Sequence, residues 1–394
     1  MRIVHYNAGG PEFQDRGFQY GAHHAHMIDE LRKRGHDVLH INPAGILGRF
    51  DTREIYGEVT IKAVREFQAD GGCDLFFATA VDHSFDPQTA RDISKLGIPT
   101  VNLGMDDLSH PYRVKQVTPA FDLVWTTEPT VLDMLRGYGA RKLVHMPFAA
   151  NPNMFHPVQT TDIERAIVFI GACYGARSRA IAKLAHADVP VRVYGRSPMD
   201  IYGEESASFP AVRALFSYRD GWQRAIRSMS FPAGRACVRG ALLRTLQNTF
   251  RDLPEQHPTK GSVEYRPGPS FEDWSKVMGS TALSLGSLEL ASTFVLKNPL
   301  QFIRFREFEA AMCGAAHLAS TSQELMGYFE PDKEMIFYQD FDEMIDKARF
   351  WLDPNNDTAR TALRHAVRKR ALAEHTWAHR FQAVFDLLGI KAQV

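Results

Sequence analysis

Short, almost continuously apolar runs alternate with amphipathic stretches along this chain. Parallel strands that are buried on both faces have this pattern, because helices cover either side of a parallel sheet. The helical spacing of Ala22, Ala25, Ile28 and Leu31 predicts one such helix over residues 20–34. Six apolar runs lie in the first 150 residues: Arg2–Tyr6, Asp37–Ile41, Asp74–Ala78, Pro99–Leu103, Asp122–Trp125 and Lys142–Met146. They predict a doubly wound α/β domain.

A stretch of proline and polar residues, 151–161, interrupts this pattern and is typical of an interdomain linker. The pattern then starts again, with predicted helices over Arg177–Ala187 and Gln301–Cys313. The predicted strands of this second half are Ala166–Ile170, Val191–Tyr194, Ala282–Leu285, Ala316–Ala319 and Met335–Tyr338. Two α/β halves joined by one linker are expected to face a cleft, where ligands of such folds bind. The predicted domains are therefore 1–155 and 162–375, followed by a C-terminal helix, 376–394, that crosses back to the first domain.

Composition excludes several classes of protein. The 394 residues include 46 Lys and Arg against 46 Asp and Glu, and a net charge of zero argues against an extended nucleic-acid-binding face. Four cysteines that lie far apart, without a CxxC pair, argue against a disulfide framework or a structural zinc site. No run approaches the roughly 18 apolar residues of a membrane span, and the N-terminus lacks the apolar core of a signal peptide. We therefore expect a cytoplasmic protein, which could still rest on the inner face of a membrane.

The segment between Gly195 and Gly261 is too long for an ordinary connection between a strand and a helix. Within it, residues 213–251 contain eight arginines and one carboxylate, Asp220. We predict an inserted, mainly helical subdomain at about 200–260. Arginines interleaved with large apolar residues suit an anionic membrane surface or a lipid-diphosphate acceptor, whereas the alternative is a solvated helix face.

The strongest local signal is a carboxylate inside an apolar helical stretch, Arg306–Gly314. Glu309 lies between Phe308 and Ala310, and a buried carboxylate without a partner is costly. One interpretation is a salt bridge with a neighbouring arginine. The other is a carboxylate that binds the vicinal hydroxyls of a ribose.

Arg306–Gly314 and several further motifs resemble the C-terminal half of the spore-maturation-type (CgeB-like) glycosyltransferases, which are related to glycosyltransferases group 1. These motifs are Val168–Gly171 with Tyr174 and Arg177, Val193–Gly195, Glu324-Leu325, Tyr328-Phe329, Lys333-Glu334, Phe337-Tyr338 and Glu374–Arg380. The resemblance implies the GT-B fold, with two Rossmann-like domains. It implies transfer of a sugar from a nucleotide-diphosphate sugar, a UDP-sugar above all, to an acceptor hydroxyl in bacterial surface glycan or glycoconjugate assembly. The acceptor would be a glycan, a lipid-linked molecule or a protein, and no further cofactor is expected.

The resemblance also implies a set of donor-binding residues. Glu309 matches the acidic residue that holds the donor ribose, and Gly171 ends the strand where phosphates approach the backbone. Arg177 opens the next helix and would counter the diphosphate charge as the leaving group departs. Tyr174 and Gly195 complete the implied binding set.

One cation of the related enzymes is missing from this pattern. Many group 1 relatives have an arginine directly after the strand-ending glycine and a lysine five residues further on; here these positions are Ala172 and Arg177. Arg306 could supply the second cation. Because fixed cations and helix N-termini can stabilise the leaving group without a metal, we expect metal-independent activity.

The candidate catalytic residues on the acceptor side follow a predicted strand. Asp106 and Asp107 could provide a general base or bind a metal, although they lack the spacing of a DxD motif, and the structural alternative is a helix N-cap. His110 and Asp15 are further base candidates. The three histidines of 23–26 resemble a metal-binding tract, but consecutive residues of a helix point in different directions, so packed histidines are favoured. The rival functions are a sugar-nucleotide epimerase of the same fold and a non-catalytic nucleotide-sugar-binding protein.

Overall fold

The computed structural model describes residues 1–9, 21, 23–158, 160, 162–195, 226–250 and 262–391 of the chain. The chain forms two compact units. The first comprises Met1–Asn151 and Thr376–Val394, and the second comprises Pro152–His375. Several features that the sequence singled out lie outside the described residues: Asp15 and Ala22 near the N-terminus, and 200–225 and 251–260 of the predicted insertion.

The first unit contains a parallel six-stranded sheet of order β2-β1-β3-β4-β5-β6. Its strands are β1 (Arg2–Tyr6), β2 (Asp37–Ile41), β3 (Leu75–Ala78), β4 (Thr100–Gly104), β5 (Leu123–Thr126) and β6 (Leu143–His145). Each of the six predicted apolar runs forms one of these strands. The doubly wound α/β prediction is confirmed for this unit.

Helices connect these strands. They are α1 (Asp29–Lys33), α2 (Pro43–Leu47), α3 (Arg53–Ala69), α4 (Pro87–Lys95) and α5 (Leu132–Gly137), with 3-10 turns at Pro111–Val114, Thr118–Ala120 and Pro129–Val131. A π-helical turn, His24–Ile28, leads directly into α1. The prediction of a single regular α-helix over 20–34 is therefore wrong, because a π-helical turn precedes α1 in the described part of this segment. The first predicted residue, Tyr20, lies outside the described part of the chain.

The second unit contains a parallel six-stranded sheet of order β12-β11-β10-β7-β8-β9. Its strands are β7 (Glu164–Ile170), β8 (Val191–Tyr194), β9 (Val263–Arg266), β10 (Thr281–Leu285), β11 (His317–Ser320) and β12 (Ile336–Tyr338). The sequence did not predict β9. This strand lies at the edge of the sheet, where Glu264 and Tyr265 are exposed, so it lacks the apolar run that marks a strand buried on both faces.

The helices of the second unit pack around this sheet. They are α6 (Ala176–His186), α7 (Pro232–Phe250), α8 (Phe271–Gly279), α9 (Phe305–Met312), α10 (Gln323–Tyr328), α11 (Phe341–Leu352) and α12 (Asp357–Glu374), with 3-10 turns at Thr293–Val295 and Pro354–Asn356. Helix α9 begins four residues later than predicted because the Glu307 side chain accepts a 2.9 Å hydrogen bond from the backbone N–H of Arg304. This capping interaction sets the start of the helix. Gln301, the predicted start, forms an isolated antiparallel bridge with Glu289 instead.

The last helix, α13 (Trp377–Leu388), belongs to the first unit. The buried carboxylate of Glu30 accepts hydrogen bonds from the backbone N–H groups of Trp377 and Ala378, both 3.2 Å long. Arg380 donates from Nε to the Pro147 carbonyl at 3.0 Å. A carboxylate at the positive end of a helix dipole stabilises the helix, so Glu30 anchors α13 at its N-terminus. Among the described residues, no helix combines the length and the apolar character that crossing a membrane requires.

Candidate functional site

Two glycines end neighbouring strands of the second unit in conformations that other residues rarely adopt. Gly171 follows β7 with φ +139°, and Gly195 follows β8 with φ +142°. A Cβ atom on Gly195 would lie 2.5 Å from the carbonyl oxygen of Gly171, and one on Gly171 would collide with the Arg306 guanidinium. These strand ends therefore require glycine, and they bring bare backbone together with a cation at the carboxyl edge of the sheet.

Arg306 extends from α9 to the end of β7. Its Nε donates a 2.7 Å hydrogen bond to the Ile170 carbonyl, and its guanidinium carbon lies 4.5 Å from the centroid of the Phe169 ring. The residue is 8% exposed, and its Nη1 atom is buried without a hydrogen-bond partner among the described residues. Burial lowers the pKa of Arg306, although the nearby carboxylates of Glu307 and Glu309 oppose this shift.

Arg177 lies in the first turn of α6 and is 6% exposed. Its Nη1 donates to the Ala172 carbonyl at 3.1 Å, and its guanidinium carbon lies 4.5 Å from the centroid of the Tyr174 ring. Burial, followed by the charges of Arg306 and Arg304, lowers the pKa of Arg177 from 12.5 to about 9. Arginines that repel each other at the N-terminus of a helix form a site that favours an anion.

Glu309 lies on α9, three residues after Arg306. Its side chain is buried, with 4% of the residue exposed, and its charge raises the pKa of Arg306. The structure therefore places Gly171, Tyr174 and Arg177 with Arg306 around the end of β7, and Glu309 one helical turn further along α9.

Sequence reasoning missed two buried residues beside this cluster, Glu307 and His317. Both are 0% exposed, and Glu307 Oε1 and His317 Nε2 have no hydrogen-bond partner among the described residues. The two atoms lie 3.1 Å and 2.6 Å from the point where a Cβ atom on Gly286 would stand. Ser284 Oγ lies 2.6 Å from His317 Nδ1.

The ionisation of these two residues follows from their burial. Burial raises the pKa of Glu307, and burial together with Arg306 lowers the pKa of His317 to about 3, so the imidazole is neutral. The capping interaction of Glu307 leaves no recognisable sequence signal, because its N-cap residue is Arg304 and not the Ser, Thr, Asp or Asn by which such caps are recognised. The sequence contains no signal for His317 either.

The predicted acceptor-side residues lie in a turn that follows β4 of the first unit. The backbone N–H groups of Ser109 and His110 both donate to the Asp106 carbonyl at 3.1 Å, and Asp106 has φ +63°. The next helical element is the 3-10 turn Pro111–Val114, whose N-cap is His110. The alternative that the aspartates cap a helix is therefore wrong.

The two aspartates differ in burial: Asp107 is buried, whereas Asp106 is exposed. Asp107 is 3% exposed, and its Oδ2 atom has no hydrogen-bond partner in the described part of the chain. A Cβ atom on Gly104 would collide with this carboxylate, so the glycine leaves the space that it occupies. Burial, and then the charge of Asp106, raises the pKa of Asp107 to about 7. A carboxylate with such a pKa can accept a proton near neutral pH.

The histidines of 23–26 have different packing partners: the His23 ring centroid lies 5.5 Å from the His5 ring centroid, whereas His26 contacts Trp377. Trp377 Nε1 donates to His26 Nδ1 at 3.2 Å, and His5 Nδ1 lies 2.8 Å from His40 Nδ1. The described residues contain no group of three or more His, Cys, Asp or Glu side chains that could hold a metal ion.

Solved structures with two such units are similar to this chain over nearly its whole length. A sucrose-phosphate synthase from Thermosynechococcus elongatus is 14% identical with a TM-score of 0.53, each chain covered to 100%. The Anabaena protein HepE, solved with UDP and glucose, is 11% identical with a TM-score of 0.54, each chain covered to 99%. An alpha-glucosyltransferase, solved with UDP and a 13-mer DNA, is 12% identical with a TM-score of 0.56, each chain covered to 99%. The fold is GT-B.

A sequence-level similarity supports the same conclusion. Residues 219–386 match a family model described as Glycosyl transferase-like, and this range includes Arg306, Glu307 and Glu309. A comparison with curated proteins finds no match. The more specific CgeB-like assignment stays a prediction.

Proposed function

We propose that this protein is a glycosyltransferase that binds the diphosphate of a nucleotide sugar at the end of β7. The observation that supports the proposal most strongly is the pair Arg177 and Arg306. Both guanidinium groups are buried, their charges repel each other, and neither forms an ion pair with a carboxylate among the described residues. A bound diphosphate supplies the negative charge that this cluster lacks.

The chemistry that follows is displacement of the diphosphate from the glycosidic carbon. As the bond between that carbon and the phosphate oxygen breaks, negative charge develops on the leaving group. Arg177, Arg306 and the backbone N–H groups at the start of α6 are fixed before the reaction and stabilise that charge. This electrostatic contribution replaces a metal ion in the proposed mechanism.

The acceptor hydroxyl loses a proton when its oxygen bonds to the glycosidic carbon. We propose Asp107 as the base, because its pKa of about 7 matches the pH at which such a proton is removed. Asp106 raises that pKa through its charge, and His110 is the weaker candidate.

The proposed donor is a UDP-sugar, with Glu309 accepting hydrogen bonds from the ribose hydroxyls. Its support is that HepE was solved with UDP-glucose and the alpha-glucosyltransferase with UDP. The acceptor class proposed from the resemblance is a bacterial surface glycan or glycoconjugate, and the proposed location is the cytoplasm.

A thermal-shift panel of UDP-, GDP-, dTDP- and CMP-sugars tests the proposal. One donor at 100 times its Kd should stabilise the fold by about 2.7 kcal/mol. Arg306→Met should reduce that stabilisation and remain folded. Mass spectrometry of the donor incubated alone and with candidate acceptors then separates transfer from epimerisation, since an epimerase converts the donor without an acceptor. If no nucleotide sugar stabilises the protein, the proposal is wrong.

A further inference from the structure

Helix α7 has one face that is fixed to the second unit. Gly240 and Ala241 are buried, and a Cβ atom on Gly240 would lie 2.6 Å from the Ser292 carbonyl oxygen. On the same side, Arg244 is 8% exposed, and its guanidinium carbon lies 5.5 Å from the centroid of the Phe294 ring. The close contact at Gly240 sets the rotation of the helix and thereby determines which residues face away from the unit.

The other face is a stripe of exposed cationic and apolar side chains. Arg235, Arg239, Leu242 and Leu246 follow one another at intervals of four, three and four residues and are all exposed. Leu242 is 54% exposed and Leu246 is 53% exposed. Residues three and four apart lie on one side of a helix, so these four side chains form a continuous surface, which we call the α7 stripe.

The turn before α7 lies beside this stripe, because Arg235 Nη1 donates a 3.1 Å hydrogen bond to the Met229 carbonyl. Ile226 is 58% exposed, Met229 is 47% exposed, and Arg227 between them is exposed as well. Clustered exposed apolar side chains on a monomeric protein mark an interaction site, whereas single ones do not.

The charge of this region has one sign. The sequence from Gly221 to Arg251 contains six arginines and no Asp or Glu, in a chain whose net charge is zero. Among the described residues, Arg227, Arg235 and Arg239 form no ion pair with a carboxylate. The exposed cations of the surface are therefore not neutralised by carboxylates in the described part of the protein.

We propose that the α7 stripe docks on a membrane that contains anionic lipids. Leu242 and Leu246 would enter the boundary between headgroups and acyl chains, while Arg235 and Arg239 bind the headgroup phosphates. A second copy of this chain fits less well, because a symmetric contact would bring two sets of unneutralised arginines together. Nucleic acid would bind the arginines but leave the exposed leucines in water.

Co-sedimentation of the full chain with vesicles tests this proposal. We expect binding to vesicles of phosphatidylcholine with 30% phosphatidylglycerol at low salt, and much weaker binding to pure phosphatidylcholine or at 0.5 M NaCl. The double change Arg235→Gln with Arg239→Gln should weaken binding about 30-fold, since each basic residue near an anionic surface contributes about 1 kcal/mol. The change Leu242→Ser with Leu246→Ser should weaken it at least about 10-fold, from the loss of apolar burial.

Two matched double variants serve as controls. Lys62→Gln with Lys369→Gln removes two exposed cations elsewhere, and Phe50→Ser with Phe350→Ser removes two exposed aromatic rings elsewhere. Both should bind vesicles like the unchanged protein. Melting temperatures establish that every variant is folded, and UDP binding, which lies outside this surface, should be retained in all of them.

Three outcomes would overturn the proposal. The first is absence of binding to anionic vesicles at low salt, and the second is an equal loss in the control variants. The third is a dimer in sedimentation velocity that disappears in the Leu242→Ser and Leu246→Ser protein, which would assign the stripe to a second copy. Because UDP binding is measured separately, failure here is distinguishable from failure of the proposed glycosyltransferase function.

Discussion

Replacing Arg177 by methionine should weaken nucleotide binding without destabilising the fold. Methionine retains the apolar stem of the side chain as far as the position of Nε but removes the guanidinium group and its charge. In the absence of an anion that charge is unfavourable, because Arg177 is buried beside Arg306 and Arg304. The same charge becomes favourable when a diphosphate binds.

The expected change in the free energy of unfolding follows from the pKa and the contacts of Arg177. A pKa lowered from 12.5 to about 9 corresponds to about 4 to 5 kcal/mol by which the folded protein disfavours the charged form. Methionine removes this penalty. It also loses the 3.1 Å hydrogen bond to the Ala172 carbonyl, worth about 1.5 to 3 kcal/mol, and the cation–π contact with Tyr174, worth about 0.5 to 2 kcal/mol. The free energy of unfolding should therefore lie between about 1 kcal/mol below and about 3 kcal/mol above that of the unchanged protein.

Nucleotide affinity should fall over the same change. Loss of a charge-assisted hydrogen bond to phosphate is worth about 1.5 to 3 kcal/mol, which weakens the Kd for UDP about 10- to 150-fold. Titration calorimetry with UDP measures the Kd, and thermal unfolding measures the stability of the same preparation.

Arg360 offers a matched control in the same unit, because its buried charge is paired with a carboxylate. It is 2% exposed, and it donates from Nη1 to the Trp351 carbonyl at 2.7 Å and from Nη2 to Asp357 Oδ1 at 2.5 Å. Arg360→Met should lower stability and leave the Kd for UDP unchanged, the opposite result to Arg177→Met. An unchanged Kd in Arg177→Met, or a loss of stability equal to that of Arg360→Met, would refute the reasoning.

Three further predictions concern the ribose, the base and the metal. Glu309→Gln should weaken the binding of UDP by about 1 to 3 kcal/mol, and it should weaken the binding of dUDP by less, because dUDP lacks one ribose hydroxyl. Equal losses of binding free energy for both ligands in calorimetry would contradict the assignment. The logarithm of kcat/KM should fall as the pH drops below about 7, where Asp107 is protonated, and Asp107→Asn should remove most activity. Because the folded-state pKa of Asp107 lies above its unfolded value of about 3.9, its contribution to stability declines as the pH rises from 4 through 7, so Asp107→Asn should exceed the unchanged protein in stability at pH 8 but not at pH 4. Activity should survive EDTA, and a strict requirement for Mg²⁺ or Mn²⁺ in a transfer assay would contradict the electrostatic account of the leaving group.

The strands were predictable where local sequence and final environment agree. Strands buried on both faces, such as β3 and β10, need apolar residues at nearly every position, so a run of them is visible without any knowledge of neighbours. Strand β9 fails this test because Glu264 and Tyr265 are exposed, so the strand does not require an apolar residue at every position. The start of α9 was mispredicted for a different reason, since a side-chain contact of Glu307 with the backbone of Arg304, rather than helical periodicity, sets it.

The site was only partly predictable for the same physical reason. Gly171 and Gly195 stand directly after strands, so sequence order alone places them at the carboxyl edge of the sheet. The burial of Glu307 and His317 depends on where β11 and α9 come together beside Gly286, which no short pattern in the chain records. A pair of this kind is identified only when the backbone of Gly286 and the two side chains are seen together.

The stability of the second unit should increase strongly when its ligand binds, because the two arginines of the site are buried. Backbone carbonyls, those of Ala172 and Ile170, hold Arg177 and Arg306 in place, and no carboxylate among the described residues forms an ion pair with either, so their geometry is fixed while their charge is only partly compensated. A bound diphosphate gains from attraction to both groups and at the same time relieves the repulsion between them. Glu309 and Glu307 moderate that repulsion without removing it, because the pKa of Arg306 remains lowered in their presence. Binding and stability are therefore coupled at this site, and a thermal shift on adding UDP should be largest in the unchanged protein and smaller in every variant that removes one of the two cations.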